Sequence, residues 1–206
     1  MKIFDWTKGI NKDELEEVRK TLNEDKLIVF PTETVYGIAG NALKLEVIDK
    51  LFQAKKRDYS KPFSLMVSDI DKIKDIAYVD KEEEKVINSF MPGPITLILK
   101  KKDCISNLAT ANKNTVGVRI PNHVISLSIL KTIDYPLATS SANISGQSNN
   151  SNIEDIINDL KDYVDIFIKG DISNNLIAST VVELTNDKVN ILRKGIISKE
   201  DIEKVL

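Results

Sequence analysis

The chain has 206 residues, 42% hydrophobic and 29% charged; this globular balance predicts one sizeable core and a single catalytic-sized domain over residues 1–206. A net charge of −2 gives no global attraction to nucleic acid or anionic lipid, so any anion site has to be local. No stretch approaches the roughly 18 to 20 apolar residues that cross a bilayer, the first residues turn acidic where a secretion signal is apolar, and a lone Cys104 and a lone His123 exclude an intrachain disulfide and paired-histidine zinc chemistry; the expected location is cytoplasmic, away from membranes.

A short opening strand precedes a helix in which Leu15, Val18 and Leu22 recur at helical spacing behind Asn11 and Asp13. Residues 27–30 read as a strand running into PTETVYG, where Pro31 and Gly37 break regular structure and leave hydroxyl-bearing residues on a strand-end loop, a common place for a site. Residues 47–54 pattern as a helix, 63–67 as a strand, and 81–90 as a helix with the charged run EEEK on its solvated side. Pro92-Gly93-Pro94 turns the chain into a strand at 95–99; another follows at 115–120, then a helix around 124–131. The segment PLATSSANISGQSNN starts as a strand and becomes a loop dense in Ser and Asn. A helix at 153–161, strands at 165–168, 180–184 and 189–192, and a last helix near Ser198 complete the pattern. Helices and strands interleave, but several strands follow one another directly, so the expected fold is α/β on one twisted mixed, largely antiparallel sheet with flanking helices.

No Walker-type loop, GxGxxG, GxSxG elbow or metal-ligand spacing occurs in this chain. What remains is a site that works by positioning and positive charge, built from Lys and Arg for phosphates and from loop hydroxyls and amides for directional hydrogen bonds. Four segments offer those groups: Thr32, Thr34 and Tyr36; Lys55, Arg57 and Lys61; Thr115 and Arg119; and Thr139, Ser140, Ser141, Asn143 and Ser145. Arg119 and Arg193 stand near the ends of apolar strands, where a buried stem can aim a guanidinium into a cleft. Singly, each residue also reads as a turn, a strand cap or a solvated cation, and composition alone does not assemble them.

Seven segments in one order resemble the threonylcarbamoyl-AMP synthases, the YrdC-like family. They are FPTETVYGIAGNA (30–42), Lys55-x-Arg57 within AKKRDYSKPFSLMV, MPGPITLIL (91–99), TVGVRIPNH (115–123), ATSSANISG (138–146), STVVEL (179–184) and ILRKG (191–195). The resemblance implies a twisted α/β sheet around a positively charged cleft, in the single-domain form. It implies an enzyme, a nucleotidyltransferase, that joins L-threonine, bicarbonate and ATP into threonylcarbamoyl-AMP and pyrophosphate. The product would serve threonylcarbamoyl-transferase proteins that modify an adenosine beside the anticodon of tRNAs reading codons that begin with A. Mg²⁺ would arrive with ATP and not in a protein-held cluster, and weak direct contact with tRNA is left open.

Carried over position by position, the resemblance assigns Lys55 and Arg57 to catalysis through a grip on phosphates. It assigns Arg57, Lys61, Thr115, Ser141, Asn143, Asn149 and Arg193 to ATP. Thr32, Thr34, Tyr36, Met66, Arg119 and Thr139 would surround threonine, with Arg119 on its carboxylate, and Ser179 and Thr180 would close the site. Met66 stands where many members carry His, and Asn149 where others often carry Ser. Two other readings compete: a tRNA or double-stranded RNA-binding module without catalysis, which the slight net acidity and absence of an aromatic platform disfavour, and a carbamoyl-adenylate-forming relative, which elsewhere sits in a much longer chain with zinc-binding cysteines.

Overall fold

The computed structural model describes residues 1–146, 152–172, 177–185 and 188–206. Its elements run β1 (Lys2–Asp5), α1 (Lys12–Asn23), β2 (Ile28–Phe30), β3 (Gly37–Asn41), α2 (Leu45–Ala54), β4 (Ser64–Met66), α3 (Ile70–Ile76) and α4 (Lys81–Phe90). Then follow β5 (Ile95–Lys100), β6 (Thr115–Arg119), α5 (Val124–Leu130), β7 (Leu137–Ser141), α6 (Ile153–Leu160), β8 (Ile166–Lys169), β9 (Thr180–Thr185), β10 (Lys188–Arg193) and α7 (Lys199–Glu203). Helix starts follow local chemistry. The Asn11 side chain accepts the amides of Asp13 and Glu14 at the head of α1, and Asp80 with Glu83, and Ser198 with Asp201, form reciprocal capping boxes on α4 and α7.

Two elements escape the sequence pattern. The strand β3 carries two glycines in GIAGN, residues depleted in strands, and is buried along its whole length between two neighbours, so it shows no alternation. At seven residues α3 is too short to display a helical period; it begins because the Asp69 side chain accepts the Lys72 amide.

The strands form one ten-stranded sheet in the order β1-β8-β2-β3-β7-β4-β6-β5-β9-β10. Pairs β1/β8, β8/β2, β4/β6 and β5/β9 are parallel, and the other five neighbours are antiparallel, so the sheet is mixed with a narrow antiparallel majority. Alternation sorts its side chains into two faces. On one face Val29, Ile38, Leu65, Leu97, Val118, Ala138, Phe167 and Val182 pack with apolar residues of α2, α3, α4, α6 and α7 in a core that spans the sheet. On the other, Ile28, Phe30, Ala39, Leu137, Ile166 and Ile168 meet Val18 and Leu22 of α1 and Ile125, Ile129 and Leu130 of α5. Each buried aliphatic side chain is worth about 1.5–3 kcal/mol. That second core ends near β7 and β4. Beyond it, no helix among the described residues covers the second face of β4, β6, β5 and β9, and that half-face is where a ligand can reach the sheet.

Candidate functional site

A cleft of about 650 Å³ lies over this uncovered face. Its floor comes from alternate strand positions: Thr139 and Ser141 of β7, Ser64 and Met66 of β4, Gly117 and Arg119 of β6, Thr96 and Ile98 of β5, and Val181 of β9. Their odd-numbered or even-numbered neighbours are the core residues of the covered face, so one pleat supplies both the core and the floor. Gly117 keeps that floor low, because an added Cβ would stand 3.0 Å from Thr96 Cγ2 and 3.3 Å from both Ile98 Cδ1 and Ser64 Oγ. The walls include Thr32, Thr34 and Val35 after β2, Arg57, Lys61 and Phe63 after α2, Lys113 before β6, Ser179 before β9, and Arg193 at the end of β10. Five cationic side chains line the cleft, and none of its described lining residues is Asp or Glu.

At one end the hydroxyls form a directed chain. Thr32 Oγ1 accepts the amides of Thr34 (3.1 Å) and Val35 (3.2 Å) and gives its proton to the Val35 carbonyl (2.7 Å). A hydroxyl has a single proton, so in the 2.9 Å contact between the two threonines Thr34 is the donor. That leaves Thr34 Oγ1 to accept from Arg119, whose Nη1 and Nη2 both stand 3.2 Å away. Arg119 is 5% exposed; its Nε donates to the Gly93 carbonyl at 3.2 Å, and Nη2 is 2.8 Å from Glu33 Oε1 in an ion pair.

Two further arginines of the lining are held by backbone carbonyls. Arg57 donates through Nε to the Lys61 carbonyl (3.0 Å) and through Nη2 to that of Pro62 (2.8 Å), with its guanidinium 5.1 Å above the Phe63 ring. Arg193 donates through Nε and Nη2 to the Ser179 carbonyl (3.0 and 2.9 Å) and through Nη2 to Ser179 Oγ (2.8 Å), which also contacts Thr96 Oγ1. Arg193 as a whole residue is exposed, yet its guanidinium end is shielded by these partners. Burial lowers the Arg57 guanidinium from its ordinary value; burial and the neighbouring Arg119 charge do the same to Arg193. Arginine stays protonated under such shifts, so Arg119 and Arg193 repel each other, a repulsion that a bound anion relieves.

The family model for Sua5/YciO/YrdC, described as "Telomere recombination", matches residues 20–195. The chain belongs to that family. A relative in Methanocaldococcus jannaschii is 35% identical over 199 residues, which is 96% of this chain and 93% of its own. The threonylcarbamoyl-AMP synthase of Bacillus subtilis is 33% identical over 95% of this chain and 57% of its own length. The crystal structure of Pyrococcus abyssi Sua5 complexed with L-threonine matches all of this chain at a TM-score of 0.94 and 31% identity, over 61% of that chain. The chain therefore spans nearly the whole of the first and little more than half of the other two.

Most residues that the family resemblance assigned to ligands come together in the cleft: Thr32, Thr34, Arg57, Lys61, Met66, Arg119, Thr139, Ser141, Ser179 and Arg193 all line it. Others stand behind its walls. Tyr36 is a core residue: its hydroxyl donates to the Gly170 carbonyl (2.8 Å) and accepts the Gly170 amide, and its ring packs 5.3 Å from Phe167. Burial raises its phenol above the ordinary value. Lys55 is 1% exposed and turns inward, its Nζ donating to the carbonyls of Ser141 and Asn143, so it pins the loop after β7 and does not reach the cleft. Asn143 is buried on that pinned loop. Thr180 ties the C-terminal segment, its hydroxyl donating to the Ile197 carbonyl and accepting the Ile197 amide. Thr115 shares the face of Gly117 and Arg119 by alternation but lies beyond the cleft lining, and Asn149 falls outside the described residues.

Sequence reasoning missed Lys113, Thr96, Phe63 and Glu33. Thr96 and Ile98 were legible as the alternate face of an apolar strand. Lys113 reaches the cleft because Ala111 and Asn112 take left-handed backbone conformations just before it, which no pattern announces. Among the described residues no group of three or more His, Cys, Asp or Glu is placed to hold a metal ion, and no helix is long and apolar enough to cross a membrane.

Proposed function

We propose that this chain is an L-threonylcarbamoyladenylate synthase, a nucleotidyltransferase that converts L-threonine, bicarbonate and ATP into threonylcarbamoyl-AMP and pyrophosphate. The observation that carries the reading is the cleft, whose cationic side chains and ordered threonine hydroxyls lie on the bare half-face of a fold close to that of a threonine-complexed relative. In this reading residues 1–206 act as one catalytic unit. Arg119 and Thr34 receive the threonine carboxylate, near Thr32, Met66 and Thr139, while Arg57, Lys61 and Arg193 face the nucleotide phosphates, with Lys113 on the same lining. Threonine's amine and bicarbonate combine with loss of water to an N-carboxylate. One of its oxygens attacks the α-phosphorus of ATP, the bond from that phosphorus to the bridging oxygen breaks, and pyrophosphate leaves with the electron pair.

The nucleophile and the leaving group are both anions, so alignment and charge neutralisation can lower the barrier without a proton-transfer residue in the cleft. Mg²⁺ enters as part of the nucleotide substrate: the described cleft lining offers no carboxylate cage for it. Lys55 contributes from behind by fixing the loop that carries Ser141 and Asn143. The product's acyl group would pass to the transferase proteins that modify tRNA.

The test is pyrophosphate release by the purified protein with and without L-threonine and bicarbonate, repeated for Arg57→Ala. Release that needs both co-substrates and falls about a hundredfold in the variant supports the reading, a loss near 2.7 kcal/mol of transition-state stabilisation. Release indifferent to threonine, or none alongside salt-dependent retention of RNA, refutes it and favours the RNA-binding reading.

A further inference from the structure

We propose that Glu33 is a positioning residue for Arg119, setting the affinity of the cleft for the amino-acid carboxylate without itself touching the ligand. This rests on the synthase reading of the same site. Glu33 belongs to the loop after β2 and is absent from the cleft lining, whereas Thr32, Thr34 and Val35 on either side of it line the cleft. Its carboxylate therefore meets Arg119 from behind. One oxygen, Oε1, makes both of its contacts: the ion pair with Arg119 Nη2 at 2.8 Å and acceptance of the Asn122 amide at 2.9 Å. Asn122 follows β6 by three residues from Arg119, so the carboxylate is anchored to the same segment whose arginine it holds.

The other oxygen, Oε2, is buried and has no hydrogen-bond partner. A buried, half-satisfied carboxylate is an expense that natural structures seldom carry without a role. Arg119 explains it. A guanidinium 5% exposed needs an acceptor on each of its edges, and Glu33 Oε1 supplies one on the side away from the cleft. With Gly93 and Thr34 holding its other edges, Arg119 is set in one orientation before any ligand arrives. Among the described residues the cleft lining holds no carboxylate that would compete with the incoming one.

The experiment measures KM for L-threonine and for ATP by pyrophosphate release, and L-threonine binding by calorimetry, in wild type, Glu33→Ala, Glu33→Asp and Glu33→Gln. Ala and Asp withdraw the oxygen from Arg119, and each is expected to weaken threonine about tenfold or more while leaving KM for ATP within about twofold. Gln keeps an acceptor oxygen of the same reach and is expected to restore threonine affinity to within about threefold of wild type. Should Glu33→Ala not fold, Glu33→Asp carries the same comparison. Unchanged threonine affinity in Ala and Asp overturns the proposal, as does an equal loss for threonine and ATP, or a Gln variant as weak as Ala. Wild type that binds no threonine and releases no pyrophosphate fails the synthase reading instead, so the two failures are distinguishable.

Discussion

Replacing Lys55 with Met tests whether the buried ammonium titrates as its surroundings demand. Burial, reinforced by the nearby Arg57 charge, pushes Lys55 from its ordinary 10.5 down to about 7. Below about 7 the side chain is charged in both the folded and the unfolded chain, and the penalty of burying that charge is present in full. Between about 7 and 10.5 the unfolded chain holds a proton that the folded protein has released, so stability rises with pH across this window. One proton contributes at most about 1.4 kcal/mol per pH unit, or about 2 kcal/mol from pH 7.5 to 9. Methionine has no proton to release. Urea unfolding of both proteins across that range should show the wild-type advantage growing by about 2 kcal/mol, whatever its value at the starting pH, because every other titrating group is shared. A difference that stays flat within about 0.5 kcal/mol would refute the reasoning and show that the two carbonyls of Ser141 and Asn143 hold the ammonium charged.

Thr32→Val removes a buried hydroxyl that accepts two amides and donates to one carbonyl, and should cost about 2–3 kcal/mol in urea unfolding. Thr32→Ser keeps the hydroxyl and should lose less than half as much; equal losses would mean that the methyl contact, not the hydrogen bonds, holds this turn. Gly195→Ala would bring a Cβ within 2.3 Å of the Thr180 nitrogen and 2.6 Å of the Ala178 carbonyl oxygen, forcing the backbone beside Ser179 to move. A lowering of Tm by roughly 4–8 °C is expected for a chain of this size, and a shift below about 1 °C would show that the segment yields freely.

Much of the molecule was legible before folding. Apolar-rich runs marked β5, β6 and β9, helical patterning marked α1, α2 and α4, and Asn11 and Ser198 marked helix starts, because these signals act between residues that are close in sequence. The cations and hydroxyls of the cleft could likewise be named, as residue types suited to anions at strand ends. Their grouping was another matter. The threonines of the loop after β2, Arg57 after α2, Arg119 on β6 and Arg193 on β10 meet only because β7 and β4 pair in the middle of the sheet, and because α1 and α5 cover only one end of its second face.

What a side chain does at that point depends on partners far along the chain. Lys55 turns inward because two carbonyls 86 and 88 residues away offer its ammonium acceptors, and Tyr36 is a core residue because Gly170 meets its hydroxyl from 134 residues away. The sequence by itself determined most of the strands, several helix starts and the inventory of charges, all set by local geometry. Which face stayed uncovered, which cation looked into the cleft, and which carboxylate stood behind Arg119 were decided only by tertiary structure, since burial and ion pairing are properties of neighbours in space.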